Sequence, residues 1–224
     1  AGNAGAFGTG AITVNGGGLD LNSLAVANAI TFGASGGSLA NASLFSGSQT
    51  LYGPVTYASG TVAGPVRVDG GGILKGNAVT FTGPTSFING AIHAPGTSPG
   101  TQTFTSGLLY DGTATTLQWE LVANTDAGGA AGTSYDSINV TGGNLTITNG
   151  ALLQMVFNAV GSTVNWNDTF WNSDHSWTVI GFTGAGSSTG TFSLVGTGTS
   201  WLDSASQSLS DAMPANNRTV STFA

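Results

Sequence analysis

Short alternating runs of apolar and polar residues recur along the whole chain. They include AITV at 11–14, ANAITF at 27–32, AVTFT at 78–82, TLQWELV at 116–122, NLTIT at 144–148 and SWTVIGF at 176–182. Each is bounded by Gly, Asn, Asp or Pro, the pattern of short strands separated by tight turns. Gly and Thr are the two commonest residues and Ser, Asn and Val are frequent; all five rank poorly in helices, so the pattern predicts an all-β chain. One exception is expected. WLDSASQSLSDAM at 201–213 sets Leu202, Ala205, Leu209 and Met213 near helical spacing, with Pro214 as its stop.

The chain echoes itself. VNGGGLDL at 14–21 returns as VDGGGILK at 68–75, with looser forms in NGAI at 89–92, GGNL at 142–145 and NGAL at 149–152. A strand, a turn needing positive φ at Gly, and a strand restarting on an apolar residue explain each echo. Such self-similarity suggests stacked repeats. An antiparallel sandwich or barrel would favour two-residue hairpins, but the corners here carry Gly-Gly and Pro-Gly pairs. The inward positions mix Ala, Val, Ile, Leu and Phe, and charge is too sparse to guard many sheet edges. The fold class expected is therefore all-β: a parallel β-solenoid (β-helix) forming a single elongated domain. Coils occupy 1–157, and C-terminal coils with an atypical, aromatic-rich cap occupy 158–224. At about 20–25 residues per coil, roughly nine or ten coils would stack into a rod of roughly 45 Å.

HAPGTSPGTQTF at 93–104 places two rigid corners, Pro95-Gly96 and Pro99-Gly100, just before a strand. Together with Ser98 and Thr101, then Glu120-Leu121, then Tyr135-Asp136 with Ile138 and Val140, this stretch resembles the C-terminal part of autotransporter-like passenger proteins. Those are built from autotransporter-associated β-strand repeats, and residues 8–32 look like the repeat unit itself. The resemblance implies a right-handed parallel β-helix displayed outside the cell as part of a longer chain. More repeats would precede it, and a membrane barrel or sorting tail would follow NNRTVSTFA.

Composition narrows the partners. The 224 residues carry ten acidic side chains against three basic ones (Arg67, Lys75, Arg218), a formal charge of −7. Only 6% of residues are charged, against about 25% in an average domain. Nucleic acid and anionic membrane surfaces are excluded as partners, because both require clustered Lys or Arg. There is no cysteine, so disulfides, thiolate metal sites and cysteine nucleophiles are excluded. Disorder does not fit a chain that is 40% hydrophobic with 11 Phe and 5 Trp. No apolar run is long enough to span a bilayer. AGNAGAFGTG lacks the basic and apolar regions of a signal peptide, and the sequence begins as though within a longer one.

Candidate chemistry is thin. Glu120 alternates against Trp119 and Leu121 and is expected as an outward, solvated residue or a partner for a corner amide rather than a buried acid, while Asp136 is expected to accept turn N–H groups. Asp20, Asp69, Asp111, Asp126 and Asp136 would have to converge to hold a calcium ion, and Asp69 has only Arg67 and Lys75 as basic neighbours. His93 stands alone, and His175 lies beside Asp174. Without a G-x-S-x-G elbow, both are expected as surface-loop histidines rather than triad members. No catalytic residue, cofactor or metal site is assigned. Trp166, Phe170, Trp171, Trp177 and Trp201 form the one aromatic concentration. They are either a glycan-stacking face or, preferred here, the cap of an atypical terminal coil.

The expected function is non-enzymatic: a secreted, extracellular or bacterial cell-surface stalk or fibre subunit. It would continue a longer chain or associate end to end with copies of itself. A glycan-binding adhesin and, more remotely, a polysaccharide-degrading β-helix enzyme are the alternatives.

Overall fold

The computed structural model describes residues 1–126, 129–148 and 150–216. Arg218, and Asn149 at the head of the last echo, lie outside the described residues. Among the described residues the strands form three sheets, and every strand pairs with its neighbours in parallel. The first sheet runs Ile12–Val14, Ile30–Phe32, Gln49–Leu51, Val66–Val68, Thr85–Ile88, Leu108–Asp111, Leu145–Ile147 and Ser188–Thr189. The second runs Gly18–Asp20, Gly37–Ala40, Pro54–Tyr57, Ile73–Lys75, Ile92–His93, Thr116–Glu120, Leu152–Val156 and Ser193–Val195. The third holds Gly60–Val62, Val79–Phe81, Thr101–Phe104, Ser137–Val140 and Ile180–Phe182. The chain visits the sheets in rotation, so each strand pairs with its counterpart one winding later. This all-parallel arrangement is consistent with a β-solenoid.

Alternation and pairing together build the core. Odd positions of Val79–Phe81 and Thr85–Ile88 point inward and even ones outward, the two-residue period of a strand. In-register pairing then stacks like upon like. Val62, Phe81, Phe104, Val140 and Phe182 form one column. Phe32, Leu51, Val68, Phe87 and Tyr110 form another. The Phe81 and Phe104 rings are stacked nearly parallel with centroids 5.0 Å apart, and Phe87 and Tyr110 lie 5.2 Å apart.

The echoes mark corners. VNGGGLDL, VDGGGILK and NGAI all turn from the first sheet to the second, with Gly16, Gly17, Gly70, Gly71, Asn89 and Gly90 at positive φ. GGNL instead turns from the third sheet to the first. At that same corner Gly47, Gly64 and Gly83 stack backbone on backbone, so closely that a Cβ on Gly64 would collide with the carbonyl of Gly47.

Two expectations need correction. In the first sheet Ile12 faces Ile30, Ile30 faces Gln49, Gln49 faces Val66, Val66 faces Thr85 and Thr85 faces Leu108, offsets of 18, 19, 17, 19 and 23 residues. Leu108 to Leu145 and Leu145 to Ser188 then take 37 and 43. The last windings carry long insertions, so the first sheet has eight strands rather than nine or ten and spreads over about 34 Å. The helix expected over 201–213 is also displaced. Asp203 folds that stretch into a loop, its Oδ1 accepting from the N–H groups of Ala205 and Gln207 and its Oδ2 from that of Trp166. Such carboxylate–backbone bonds compete with helix formation. The helix, Leu209–Asn216, starts only after Ser208, whose Oγ accepts from Asp211 N–H, and it runs past Pro214.

Phe81 is fully buried between Tyr57 and Phe104. Phe81→Ala is expected to cost about 3–5 kcal/mol, read as a lower urea midpoint at unchanged slope. Thr80→Ala, on the outward face of the same strand, should stay within about 0.5 kcal/mol. Equal effects of the two would contradict the inward column.

Candidate functional site

An open groove of about 600 Å³ crosses the outer face of the first sheet. Five windings line it through one outward column, in which Thr50, Arg67, Ser86, Leu109 and Thr146 are successive register partners. Pro65, Pro84 and Asn144 border that column at the third-to-first corner. Arg67 is the one cation in this wall and is held in place. Its Nε and Nη2 donate to Asp69 Oδ2 at 3.1 and 2.6 Å, while Asn89 Nδ2 donates to Asp69 Oδ1 at 2.8 Å. The Arg67 guanidinium, then Asn89, hold the Asp69 carboxyl below its ordinary range. Asp69 thus pairs with Arg67 and not with Lys75, which makes no ion pair among the described residues.

The two halves of the sequence resemblance meet in space. Pro95-Gly96 and Pro99-Gly100 form the corner from Ile92–His93 to Thr101–Phe104, and Gly96 and Gly100 lie against each other. Asp136 locks this corner. Its Oδ1 accepts from Gly100 N–H at 2.7 Å and its Oδ2 from Glu120 N–H at 2.9 Å, and its carbonyl accepts from Trp119 Nε1 at 2.7 Å. Asp136 therefore takes the turn-binding role expected of it. Burial pushes its carboxyl up to about 8, against the two N–H bonds that favour the charged form. Glu120 departs from expectation. With Asp136 folded back on it, it is partly buried, and its Oε2 is enclosed without a hydrogen-bond partner among the described residues.

His93 is also not a surface residue. It is fully buried and stacked on Phe87 at 4.5 Å, because Ile92–His93 points it inward between Leu74 and Leu117. Gln102 Nε2 donates to Gly76 O, which leaves Gln102 Oε1 to accept from His93 Nε2 at 2.7 Å. His93 Nδ1 then accepts from the Tyr110 hydroxyl at 2.6 Å. Burial lowers the imidazole to about 4. His175 is partly buried on the face of Phe170 at 3.6 Å. Its Nε2 donates to Phe170 O at 2.6 Å, and its Nδ1 lies 3.8 Å from Asp126 rather than beside Asp174. That ring is not arranged to take a proton from Ser173 Oγ, 3.4 Å away.

The four tryptophans of the aromatic set gather in a second core with Trp119, Leu121, Met155, Phe157 and Val164, while Phe170 packs beside it on Trp171 and His175. The insertions at 121–136 and 157–179 and the segment after Val195 all leave the second sheet, so this core flanks the corner that follows that sheet. Trp166 and Trp201 are buried; Phe170, Trp171 and Trp177 are partly buried. Trp166 Nε1 donates to Trp201 O, Trp171 Nε1 to Asn124 Oδ1 and Trp177 Nε1 to Thr125 O. The five acids considered for calcium are dispersed, and no cluster of three metal-ligating side chains occurs among the described residues. Sequence reading overlooked the groove, because its column is assembled across offsets of 17, 19, 23 and 37 residues. No family model, curated protein or solved structure matches the chain.

The buried imidazole sets a pH dependence. Its folded pKa lies below the unfolded value of 6.5, so the stabilisation is complete above pH 6.5 and is lost as pH falls toward 4. Asp136, with its pKa raised to about 8, works in the opposite direction between 3.8 and 8. Comparison with His93→Gln, which cannot titrate, isolates the first term. Between pH 7 and 5 the wild type should lose roughly 2 kcal/mol more than the variant in urea unfolding. Parallel pH profiles would refute a buried neutral His93.

Proposed function

We propose that this chain is a segment of a right-handed parallel β-helix that serves as an extracellular or cell-surface stalk or fibre subunit, acting mechanically and not as an enzyme. The sequence resemblance to autotransporter passenger repeats supports this reading, as does a surface that draws its solubility from Ser, Thr, Asn and Gly rather than from charge. The all-parallel sheets suit a rod, since backbone ladders then run along its length.

The observation that carries the reading is the open edge at each end of the first sheet. Ile12–Val14 pairs only with Ile30–Phe32, and Ser188–Thr189 only with Leu145–Ile147, among the described residues. Ile12 N–H donates to Ala29 O and Val14 O accepts from Gly33 N–H, so the N–H and C=O of Thr13 point to the free edge. Such an edge is a template for another strand, either from the rest of a longer chain or from a second copy. Glycan stacking on the Trp set has less support, because three of its indole N–H groups are engaged within the fold.

Sedimentation velocity and negative-stain electron microscopy test the fibre form. End-on oligomers should grow with protein concentration, and Thr13→Pro should suppress them while changing stability by no more than about 0.5 kcal/mol. Monomers at every concentration would remove self-association and leave only continuation of a longer stalk.

A further inference from the structure

The groove on the first sheet has a chemistry that the stalk role does not use. Its outward column offers hydroxyls from Thr50, Ser86 and Thr146, the guanidinium of Arg67 and the apolar side chain of Leu109. The column runs across the strands, so each winding presents its group about 4.8 Å beyond the last. That spacing is close to the length of one pyranose in an extended chain. Sugar hydroxyls want fixed donors and acceptors, and sugar C–H faces want small apolar surface; the column supplies the first from Thr50, Arg67, Ser86 and Thr146, and Leu109 with the bordering Pro65 and Pro84 supplies the second.

Charge selects among sugars. The chain carries −7 overall, and the groove's cation is already neutralised by Asp69 at 2.6 Å. An acidic polymer would meet repulsion from the protein and competition from Asp69. Arg67, its charge balanced by Asp69 behind it, is better suited to a neutral diol. Arg67 Nη1 makes no protein hydrogen bond among the described residues, and its side chain is 54% exposed. Asn89 on the other carboxylate oxygen keeps the pair from swinging. We infer that this groove binds an unbranched, neutral polysaccharide lying along the stack, one sugar per winding, with Arg67, held in place by Asp69, as its principal polar contact. The site is independent of the stalk reading and separate from the aromatic core.

Isothermal titration calorimetry on the full chain tests this with cellohexaose and xylohexaose as neutral probes, cellotriose as a short one and hexagalacturonate as an acidic one. At least one neutral hexamer should bind, cellohexaose more tightly than cellotriose if the glucan is preferred, and hexagalacturonate more weakly than either hexamer. Arg67→Ala should weaken binding about tenfold through a lost charged hydrogen bond. Ser86→Tyr, which fills the middle of the groove from an outward position, should abolish it. Trp171→Ala should leave it unchanged, and thermal melts should show all three variants folded. The inference is overturned if no neutral hexamer binds at millimolar concentration or if the acidic hexamer binds best. It is equally overturned if both groove variants bind like wild type, or if Trp171→Ala alone removes binding.

Discussion

In-register parallel pairing from one winding to the next is the constraint on which the rest of the structure depends. It fixes which side chain lies on which, so each inward position becomes a column and each outward position a stripe. Phe81 on Phe104 and Phe87 on Tyr110 follow from it directly. So does the groove, whose wall is one outward stripe seen from the side. Corners obey the same rule. Gly64 must be glycine because the backbone of Gly47 lies directly against it, a close approach with no space for a side chain.

The constraint relaxes where the chain leaves the second sheet. The described residues of 121–136 and 157–179 lie outside the three sheets and pack together through Leu121, Tyr135, Phe157 and Trp166, against Trp119 of the second sheet and Trp201 of the C-terminal segment. This second core is knit by indole-to-carbonyl bonds and edge-to-face ring contacts, such as Trp166 with Trp171 at 4.7 Å, rather than by ladders. Asp136 joins the two regimes, since one carboxylate holds the Pro-Gly corner of one winding and the strand end of the next segment. Structural stacking and irregular packing thus coexist in one chain, with a single buried acid at their seam.

Much of this was legible in residue order. Alternation located the strands, and the Gly-Gly echoes marked a recurrent corner because only a left-handed backbone turns that tightly. The role of Asp136 could be read from its place at a strand start. Other features depend on partners distant in sequence. His93 reads as a loop residue because Pro95 follows it, yet one strand position turns it into the core, where Gln102 and Tyr110 satisfy both nitrogens. The 201–213 stretch has helical spacing, but spacing carries no information about an aspartate that ties its own loop and reaches Trp166. Groove residues share no motif and become neighbours only once unequal windings are aligned.

The His93 triad has a bearing on how such a chain finds its own registration. A pile of similar aliphatic rungs is nearly indifferent to being threaded one level too high, since Val, Leu and Phe replace each other with modest loss. Tyr110, His93 and Gln102 tolerate no such substitution. A frame shift would strand polar atoms in a dry interior, at about 1–3 kcal/mol for each. The trio therefore works as an index mark near the middle of the stack, distinguishing the correct threading from otherwise plausible misalignments during assembly.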